Sequence, residues 1–572
     1  MTRSPKSRRP APVAPGAPAV RPAARSDIIS RVLPAYLSNA QSAAARGLPA
    51  EQAVWLQAAL MLEPGLVEAS LQLIDAMLRR GAIGEAIALA ANLVEREPQH
   101  ARALWHLGYA LQLAGRHAEA IPLYQRAYAL DKAVPTLRNN LAVALEITGH
   151  DDEALALLEE AVAVNAGDIE AWTNLSRIYP RRLDLARAIA AGERAVQIDP
   201  SNALAQSNYS LALKEAQRWD AATGAATAAA EASPHAPRFP FNQSLLDLLQ
   251  RNYTRGWAGF EARWEGSSEL ANAQPNLPVP RWNGEALRGK TLLLWGEQGF
   301  GDALQFCRFV PMLAKQVHAQ GGKLVWAAFR ALHPLMARMA PKNVECIAHD
   351  AELPPFDFHF PLLSLPLHFN IDDDSIPAKR SYLTADAERA AQWRAQSQAG
   401  KHLRVGLVWS GGVTHQRNLF RSVGIDRYAK AFGALDNVAF FSLQKGAEND
   451  VAAAKASGFD ITDHTGQFEN FDDTAAFIDS LDLVITVCTS MAHLAAALGK
   501  PTWVLLDVNP HWVWQLERAD SPWYPTVALY RQKDFARWEP VFEALTHDLS
   551  ALAAKHASAA APRRRTAKKL AE

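Results

Sequence analysis

The sequence predicts a repeated α-helical solenoid followed by an α/β region of two halves, each built on a parallel sheet. Two observations support this prediction. In the first half of the chain, small, polar and helix-breaking residues recur every 34 positions, which is typical of stacked helix pairs. From Lys290 onward, short apolar runs alternate with helical stretches, the pattern of parallel strands joined by helices.

The composition argues against several classes of protein. The 572 residues carry 59 Lys and Arg against 59 Asp and Glu, so the net charge gives no reason to expect a nucleic-acid partner. No run approaches about 18 apolar residues without charges, so we expect no membrane insertion. The three cysteines lack paired spacing and the N-terminus lacks the apolar core of a secretory signal, so we expect a cytoplasmic protein.

Composition also indicates the boundaries. We expect a disordered basic arm at 1–26, the solenoid at 27–265, the first α/β half at 266–395, the second half at 396–555, and a disordered basic tail at 556–572.

The 34-residue period is carried by three kinds of position. The helix junctions are Pro64, Pro98, Lys132, Ala166, Pro200 and Pro234, and a proline there ends one helix and begins the next because it lacks an N–H. The turns inside the pairs hold Gly81, Gly115 and Gly149. The positions of close helix approach hold Ala86, Ala120, Ala154, Ala188 and Ala222, with Leu107, Leu141 and Leu175 as apolar contacts. Six consecutive units in this register resemble the tetratricopeptide repeat.

Four asparagines share one register of these units: Asn140, Asn174, Asn208 and Asn242. Asn is a mediocre helix former, so its recurrence calls for a reason. An amide side chain both donates and accepts, and can pair with a peptide backbone. The four resemble the asparagine ladder of O-GlcNAc transferases, which implies an acceptor-peptide groove. The alternative is that these side chains form hydrogen bonds with neighbouring repeats and have only a structural role.

Eight apolar runs predict strands at 291–296, 323–329, 343–348, 357–365, 404–410, 438–444, 481–487 and 501–507. Helices are expected between them, at 303–320, 474–480 and 490–498. A polar stretch near 370–400 separates the runs into two clusters, and therefore two sheets. Ligands of such sheets bind at the carboxyl ends of the strands.

The first predicted strand runs into a glycine-rich turn with Gly296, Gly299, Gly301 and then Asp302. Glycines allow close backbone approach, although an acidic residue here is also an ordinary helix cap. The turn resembles that of heptosyltransferase-like glycosyltransferases, which carries a Gly-Asp pair followed by a helix and a proline, here Pro311. The resemblance implies that Asp302 is the general base toward an acceptor hydroxyl.

The second half carries three further polar segments after predicted strands. They hold His415 and Arg421, then Gln444 and Lys445, then Thr489, Ser490 and His493. Hydroxyls, basic groups and a helix N-terminus can hold a diphosphate. Lys445 also fits a surface charge, and His493 also fits an ordinary core histidine. Trp523 and Tyr524, which lie between two prolines, fit either packing or stacking on a base or sugar.

Residues 255–551 resemble the glycosyltransferase domain often fused to bacterial tetratricopeptide repeats. The resemblance implies a GT-B fold of two Rossmann-like domains that needs neither metal nor cofactor and takes a nucleotide-activated sugar as co-substrate. Two positions depart from the family pattern: Cys488 stands where an Asp is usual, and Val513 lies near the usual Arg. A cysteine is a weak donor and acceptor, so the departure indicates an unusual donor or reduced activity.

The leading hypothesis is a protein glycosyltransferase that modifies Ser or Thr of a polypeptide held by the repeats. Flagellin, with a nonulosonic acid as the sugar, is one pairing that the resemblance suggests. Two alternatives stay open: heptosyltransferase-like transfer to a lipid-linked glycan, and a catalytically degenerate scaffold.

Overall fold

The computed structural model describes residues 22–267, 270, 274–297, 299–397, 402–412, 415 and 417–560. Its first part is a helical repeat solenoid, in which the helices after a first one of 24 residues have at most 14 residues and most are paired with the next. The helices are α1 (Pro22–Ala45), α2 (Pro49–Leu62), α3 (Val67–Arg79), α4 (Ile83–Arg96), α5 (Ala101–Leu113), α6 (His117–Leu130), α7 (Leu137–Ile147), α8 (Asp151–Val164), α9 (Ile169–Ile178), α10 (Leu185–Ile198), α11 (Ala203–Glu215), α12 (Trp219–Ala232), α13 (Arg238–Leu249), α14 (Tyr253–Phe260) and α15 (Arg263–Gly266).

The chain divides into two compact units, residues 1–174 and 175–572. The boundary falls inside α9. The first unit therefore holds the earlier repeats, and the second holds the later repeats together with the whole α/β region.

The turns inside the helix pairs explain the recurring glycines. The backbone is left-handed at the same register position of every pair, with φ between 56° and 87° at Gly47, Gly81, Gly115, Gly149, Leu183, Gln217 and Arg251. Glycine adopts this conformation without steric cost. The later pairs keep the turn with larger residues, which the periodicity of glycine alone does not reveal.

The other repeat positions lie where the period predicts. The five recurring alanines are completely buried, and Leu107, Leu141 and Leu175 lie in the core. Helices α1 and α26 (Glu539–Ala560) extend into the ends for which we expected disorder, reaching 22 at one end and 560 at the other. Alanine-rich sequence favours this continuation. The remainder of the expected arm and tail lies outside the described residues.

The α/β region contains two parallel sheets. The first is β1 (Thr291–Trp295), β2 (Lys323–Ala328), β3 (Val344–Ala348) and β4 (Phe358–Pro361), in the order β3-β2-β1-β4. The second is β5 (Leu403–Val408), β6 (Val438–Ser442), β7 (Ile461–Asp463), β8 (Leu483–Val487), β9 (Thr502–Leu506) and β10 (Val527–Arg531), in the order β10-β9-β8-β5-β6-β7. The second order is that of doubly wound dinucleotide-binding sheets, and the first matches its first four strands.

The helices of this region cover the sheets or connect the strands. They are α16 (Phe300–Phe306), α17 (Val310–Ala319), α18 (His333–Met339), α19 (Leu365–His368), α20 (Ala387–Gln396), α21 (Asn418–Arg421), α22 (Ile425–Phe432), α23 (Glu448–Ala456), α24 (Phe471–Ser480), α25 (Ser490–Ala497) and α26.

The strand prediction was wrong in three places. The run 357–365 is a strand only to Pro361, and 362–368 turns into 3-10 and α-helix. Strands β7 and β10 were missed because β7 has only three residues and β10 lies in a stretch dominated by aromatic and basic groups. Pairing with β6 and β9, respectively, supplies the backbone partners that make these two segments strands.

The last repeat is joined to the first sheet through buried groups. Trp257 of α14 donates from Nε1 to the carbonyl of Ile371 at 2.8 Å, and its ring packs edge-on against Trp512. The guanidinium of Arg263, with 0% of the residue exposed, donates to Glu297 at 2.7 Å and to Ser364 at 2.9 Å. Glu297 follows β1, so this contact holds the exit of the central strand.

Among the described helices, none combines the length and the apolar character needed to cross a bilayer.

Substituting Gly192 in α10 by alanine is expected to destabilise the solenoid by about 1–3 kcal/mol through overpacking. An added Cβ would lie 2.7 Å from the Tyr209 ring, 2.8 Å from Ser176 Oγ and 3.1 Å from the Tyr209 backbone. Gly224 in α12 is the matched control. A Cβ added there would have no atom within 4 Å in the part of the chain that the structure describes, so Gly224→Ala is expected to stabilise by up to about 1 kcal/mol. Thermal and urea unfolding measure both effects, and equal responses would contradict the packing argument.

Candidate functional site

Three polar segments that follow strands meet where the strand order of the sheets reverses. The turn of Gly296–Asp302 follows β1, whose neighbours are β2 and β4. The segment before α21 follows β5, and Cys488–Ser490 follows β8, the neighbour of β5. The crevice beside such a reversal is where open α/β sheets bind ligands. The topology therefore gathers segments that lie far apart in the chain.

The two halves approach each other at Gly301. Helix α16 packs against α25, and a Cβ on Gly301 would lie 3.1 Å from His493 Cδ2 and 3.5 Å from Ser490 Cα. A side chain at position 301 would therefore require the His493 ring to shift by a few tenths of an ångström. Asp302, the next residue, accepts from the backbone N–H of Gly299 at 3.3 Å and stays partly exposed. Its carboxylate caps α16, and its charge adds to the effect of burial in raising the pKa of the Cys488 thiol, just before α25.

Helix α25 begins with Thr489 as its N-cap, whose hydroxyl accepts from the N–H of Met491 at 3.3 Å. Thr489 and Ser490 are partly exposed at this helix start. His493 lies one turn further on and is buried. Its Nδ1 is 2.8 Å from the Tyr524 hydroxyl and its ring stacks on Trp514. Burial, together with His511 and Arg308, lowers the pKa of His493 to about 3.

Arg421, at the end of α21, crosses the crevice and donates from Nη1 to the carbonyl oxygen of Cys488 at 3.0 Å. Its path depends on Gly411. A Cβ at position 411 would lie 2.2 Å from Arg421 Nη2. Gly411 thus leaves room for the guanidinium of Arg421 to contact the backbone at the start of α25.

The thiol of Cys488 stands beside this guanidinium. Burial raises the pKa of Cys488, and the indole N–H of Trp514 donates to its Sγ at 3.1 Å. The thiol is thus protonated at neutral pH and engaged with an aromatic neighbour, which does not suit a nucleophile. Val513, the second departure from the family pattern, is completely buried.

The other three residues that the sequence predicts to bind the donor have different surroundings in the structure. Gln444 Oε1 accepts from the backbone of Ser410 at 3.0 Å and of Trp409 at 3.3 Å, so it ties the ends of β5 and β6 together. His415 accepts from the N–H of Arg417 at 3.1 Å, and burial with Arg421 and Arg417 lowers the pKa of His415 to about 4. The ammonium of Lys445 donates to the carbonyl of Phe468 and is occupied there.

An open cleft of about 870 Å³ lies at the carboxyl ends of the first sheet. It is lined by Gly299, Phe300, Phe329, Arg330, Ala331, His333, Pro334, Ala348, His349, Glu469 and Asn470. The ring of Phe300, with 40% of the residue exposed, contacts Phe329 from the first half and Phe471 from the second. The cleft thus combines aromatic and cationic side chains, and Phe300 and Gly299 place it next to the turn that carries Asp302.

Sequence reasoning missed the buried ion cluster on the other side of α21. Arg417 contacts the carboxylate of Glu215 and lies 3.0 Å from Asp507 Oδ2. Asn509 donates to Glu215 Oε1 at 2.9 Å. The sequence signal for these contacts is weak, because it consists of single charges in otherwise apolar surroundings.

The four asparagines of the predicted ladder are divided between the two units. Asn140 and Asn174 lie in the first, and Asn140 donates to Thr136 Oγ1 of the same helix end at 3.4 Å. Asn208 and Asn242 lie in the second, where Asn242 donates to Ser207 Oγ at 3.4 Å. Asn208 is only 6% exposed, whereas the other three are partly exposed.

The two aromatic residues that fit base or sugar stacking by sequence, Trp523 and Tyr524, are completely buried and belong to the core. Within the described ranges, no three His, Cys, Asp or Glu side chains converge in an arrangement able to hold a metal ion.

His493 is expected to make the protein acid-sensitive. The unfolded chain binds its proton near pH 6.5, and the folded chain only near pH 3. The contribution of His493 to the free energy of unfolding is therefore fully present above pH 6.5. It falls by about 1.4 kcal/mol per pH unit as the pH drops toward 3. Melting temperatures at pH 7 and pH 5 should differ less in His493→Gln than in the native protein. Replacing the exposed His547 by Gln is the control, and equal acid sensitivity of native protein and His493→Gln would refute the assignment.

Comparison with known proteins finds similarity in the solenoid. Two tetratricopeptide-repeat family models match, one at residues 71–135 and the other at 111–178. Similar solved structures include a tetratricopeptide repeat protein from Parabacteroides merdae, with 12% identity and a TM-score of 0.37, covering 42% of this chain and 95% of that one. Another is YrrB, described as a TPR protein with an unusual peptide-binding site, with 18% identity and a TM-score of 0.27, covering 32% and 93%. Identities and TM-scores this low carry no argument about this chain.

A curated relative extends further along the chain. Protein FlbA of Caulobacter vibrioides is 28% identical over 395 residues, which are 64% of this chain and 65% of FlbA. The chain thus spans about two thirds of the length of this relative. Because 64% exceeds the share of the chain that ends with α15 at Gly266, the similarity reaches into the α/β region. The family matches confirm tetratricopeptide repeats in residues 71–178, and the repeats are joined in one chain to an α/β region of parallel sheets.

Proposed function

We propose that the chain is a protein glycosyltransferase of GT-B architecture, which transfers a sugar from a nucleotide donor to Ser or Thr of a polypeptide held by the repeats. The observation that carries the proposal is the meeting of the Asp302 turn with the start of α25. There the turn that carries Asp302 packs through Gly301 against the start of α25, which carries the Thr489 and Ser490 hydroxyls and follows the Cys488 carbonyl held by Arg421.

On the donor side, the departing phosphate of the nucleotide is the group to be stabilised. Arg421 and the first N–H groups of α25, with the hydroxyls of Thr489 and Ser490, provide cationic and hydrogen-bonding partners for it. His493 is neutral and can take part only as a hydrogen-bonding group. Lys445 would first have to leave the carbonyl of Phe468, and its phosphate role stays a prediction.

On the acceptor side, Asp302 is the group suited to take a proton. Its carboxylate is partly exposed and lies beside the cleft lined by Phe300 and Arg330. In the proposed step, Asp302 accepts the proton of the acceptor hydroxyl while the oxygen forms a bond to the anomeric carbon. The bond from that carbon to a phosphate oxygen of the nucleotide breaks, and the electron pair leaves with that oxygen, toward Arg421.

The repeats are the reason to expect a polypeptide as the acceptor. Tetratricopeptide arrays present helical surfaces that suit polypeptide partners. Flagellin is one candidate acceptor, and the partly exposed Asn140, Asn174 and Asn242 are candidates for backbone contacts. Transfer to a lipid-linked glycan instead would use the same crevice with a different acceptor.

Cys488 favours a second candidate, a scaffold with a degenerate transferase site. A carboxylate at this position could pair with Arg421 and with Trp514 Nε1, whereas the neutral thiol offers Trp514 only a weak acceptor. Losing one charge-assisted hydrogen bond costs about 1.5–3 kcal/mol, which weakens nucleotide binding by about ten- to a hundredfold without abolishing it.

We therefore expect the native protein to bind a nucleotide. A ligand at about 100 times its Kd should stabilise the protein by about 2.7 kcal/mol, which thermal shift with UDP, GDP, CDP and CMP would detect. Gly411→Ala should weaken binding about tenfold, because its Cβ would displace Arg421. Gly412→Ala is the neighbouring control, since a Cβ added there would have no atom of the described residues within 4 Å. A native protein that responds to no nucleotide, while Cys488→Asp does respond, would favour the scaffold over the enzyme.

Asp302→Asn should reduce transfer at least about a hundredfold while leaving nucleotide affinity unchanged. The amide oxygen can still accept from Gly299, so the helix cap survives the substitution. Transfer is measured as a nucleotide-sugar-dependent mass increase on purified flagellin, on total cytosolic proteins and on a lipid-linked glycan fraction. Full activity of Asp302→Asn would remove the proposed base, and label confined to the glycan fraction would remove the protein acceptor.

A further inference from the structure

The last residue of solenoid helix α11, Glu215, lies inside the α/β region. It is only 6% exposed, and its carboxylate contacts the guanidinium of Arg417 through both oxygens, one at 3.3 Å. Oε1 also accepts from Asn509 Nδ2 at 2.9 Å. A solenoid side chain is thus paired with the two segments that follow β5 and β9.

The repeat itself gives no reason for a carboxylate here. The equivalent positions of three earlier pairs hold Leu113, Ile147 and Arg181, none of them acidic. Leu113 is 44% exposed and Ile147 is 55% exposed, so the register position is ordinarily at the surface. A buried carboxylate is costly unless it is paired and hydrogen-bonded. The contacts with Arg417 and Asn509 supply that pairing, so Glu215 is explained by the α/β region and not by the repeat.

Arg417 joins Glu215 to the donor side of the crevice. Its Nη2 lies 3.0 Å from Asp507 Oδ2, and the N–H of Asn509 donates to the same carboxylate at 2.9 Å. Two buried acids therefore hold the partly exposed guanidinium of Arg417, and the ammonium of Lys214 adds a second positive charge nearby. Burial lowers the pKa of Lys214 to about 8.

Arg417 is also the N-cap residue of α21. Its N–H donates to His415 Nδ1 at 3.1 Å, and its carbonyl accepts from the N–H of Arg421 at 3.2 Å. Arg421 is the guanidinium that reaches the backbone of Cys488. The side chain of Arg417 thus anchors a four-residue helix whose other end carries the proposed phosphate partner.

We propose that Glu215 is a positioning residue for nucleotide binding: through Arg417 it fixes α21, and with it Arg421, in the crevice. The later repeats are then part of the donor site as well as a surface for the acceptor. This inference rests on the proposed function, because it takes the crevice to be a nucleotide site.

The test uses the full chain and two readouts. Hydrogen exchange of the amides of residues 417–421 reports the anchoring of α21 without any ligand. Calorimetric titration with UDP, GDP, CDP and CMP reports nucleotide affinity. Glu215→Gln should speed exchange in 417–421 at least about fivefold and weaken the best nucleotide about tenfold.

Asp247→Asn is the matched control, since Asp247 is another buried carboxylate of the solenoid and pairs with Arg255 of α14. It should change neither readout. In an Arg417→Lys background, Glu215→Gln should weaken binding by less than about twofold, because the path through Arg417 is already impaired. Glu215→Asp, which keeps the charge, serves if Glu215→Gln does not melt cooperatively, and should give the same changes to a smaller extent.

Each result has one meaning. Unchanged exchange at 417–421, or unchanged affinity in Glu215→Gln when the native protein binds a nucleotide, overturns the inference and leaves the proposed function standing. Equal effects of Glu215→Gln in the native and Arg417→Lys backgrounds would also overturn it. A native protein that binds none of the four nucleotides contradicts the proposed function, and the inference with it.

Discussion

The buried guanidinium of Arg263 is the interaction on which the arrangement of the crevice depends. It joins α15 to Glu297, which follows β1, and to Ser364, which follows β4. In the first sheet, β1 and β2 are the central strands and β4 lies beside β1. Burial raises the pKa of Glu297 to about 7, against the opposite influence of Arg263. Removing one partner of such a pair leaves an uncompensated charge and typically costs about 3–5 kcal/mol. Because Glu297 lies within the glycine-rich turn, this contact also helps to fix the position of Asp302.

The later repeats are thus connected to both halves of the α/β region by charge. Arg263 reaches the first sheet, and Glu215 reaches the segments after β5 and β9 of the second. Both residues are almost completely buried. A solenoid that served only to display a groove would not need ionised side chains in a neighbouring core, where desolvation opposes them. The two contacts tie the later repeats to the α/β region, consistent with their membership of a single compact unit.

The crevice itself is built from backbone constraints more than from side-chain chemistry. Gly301 permits α16 to meet α25, and Gly411 permits Arg421 to lie against the chain. Neutral His493, Trp514 and Tyr524 form a packed wall behind the start of α25. With that wall in place, the polar groups of the described residues that border the crevice include Asp302, Arg421, Thr489 and Ser490.

The sequence by itself determined the elements whose cause is local. The 34-residue period specified the helix pairs because each unit repeats its own turn and close-contact residues, and the apolar runs located eight of the ten described strands. It also identified the segments that carry Asp302, Arg421 and Ser490, since glycines and polar residues after strands are visible in one dimension. Only the tertiary structure decided what depends on contacts between distant segments. Strands β7 and β10 exist through pairing, Lys445 is engaged by Phe468, and Asn208 is buried by its neighbours. Glu215, Arg417 and Asp507 became a cluster only on folding, because charges so far apart in the chain show no pattern until burial forces them to pair.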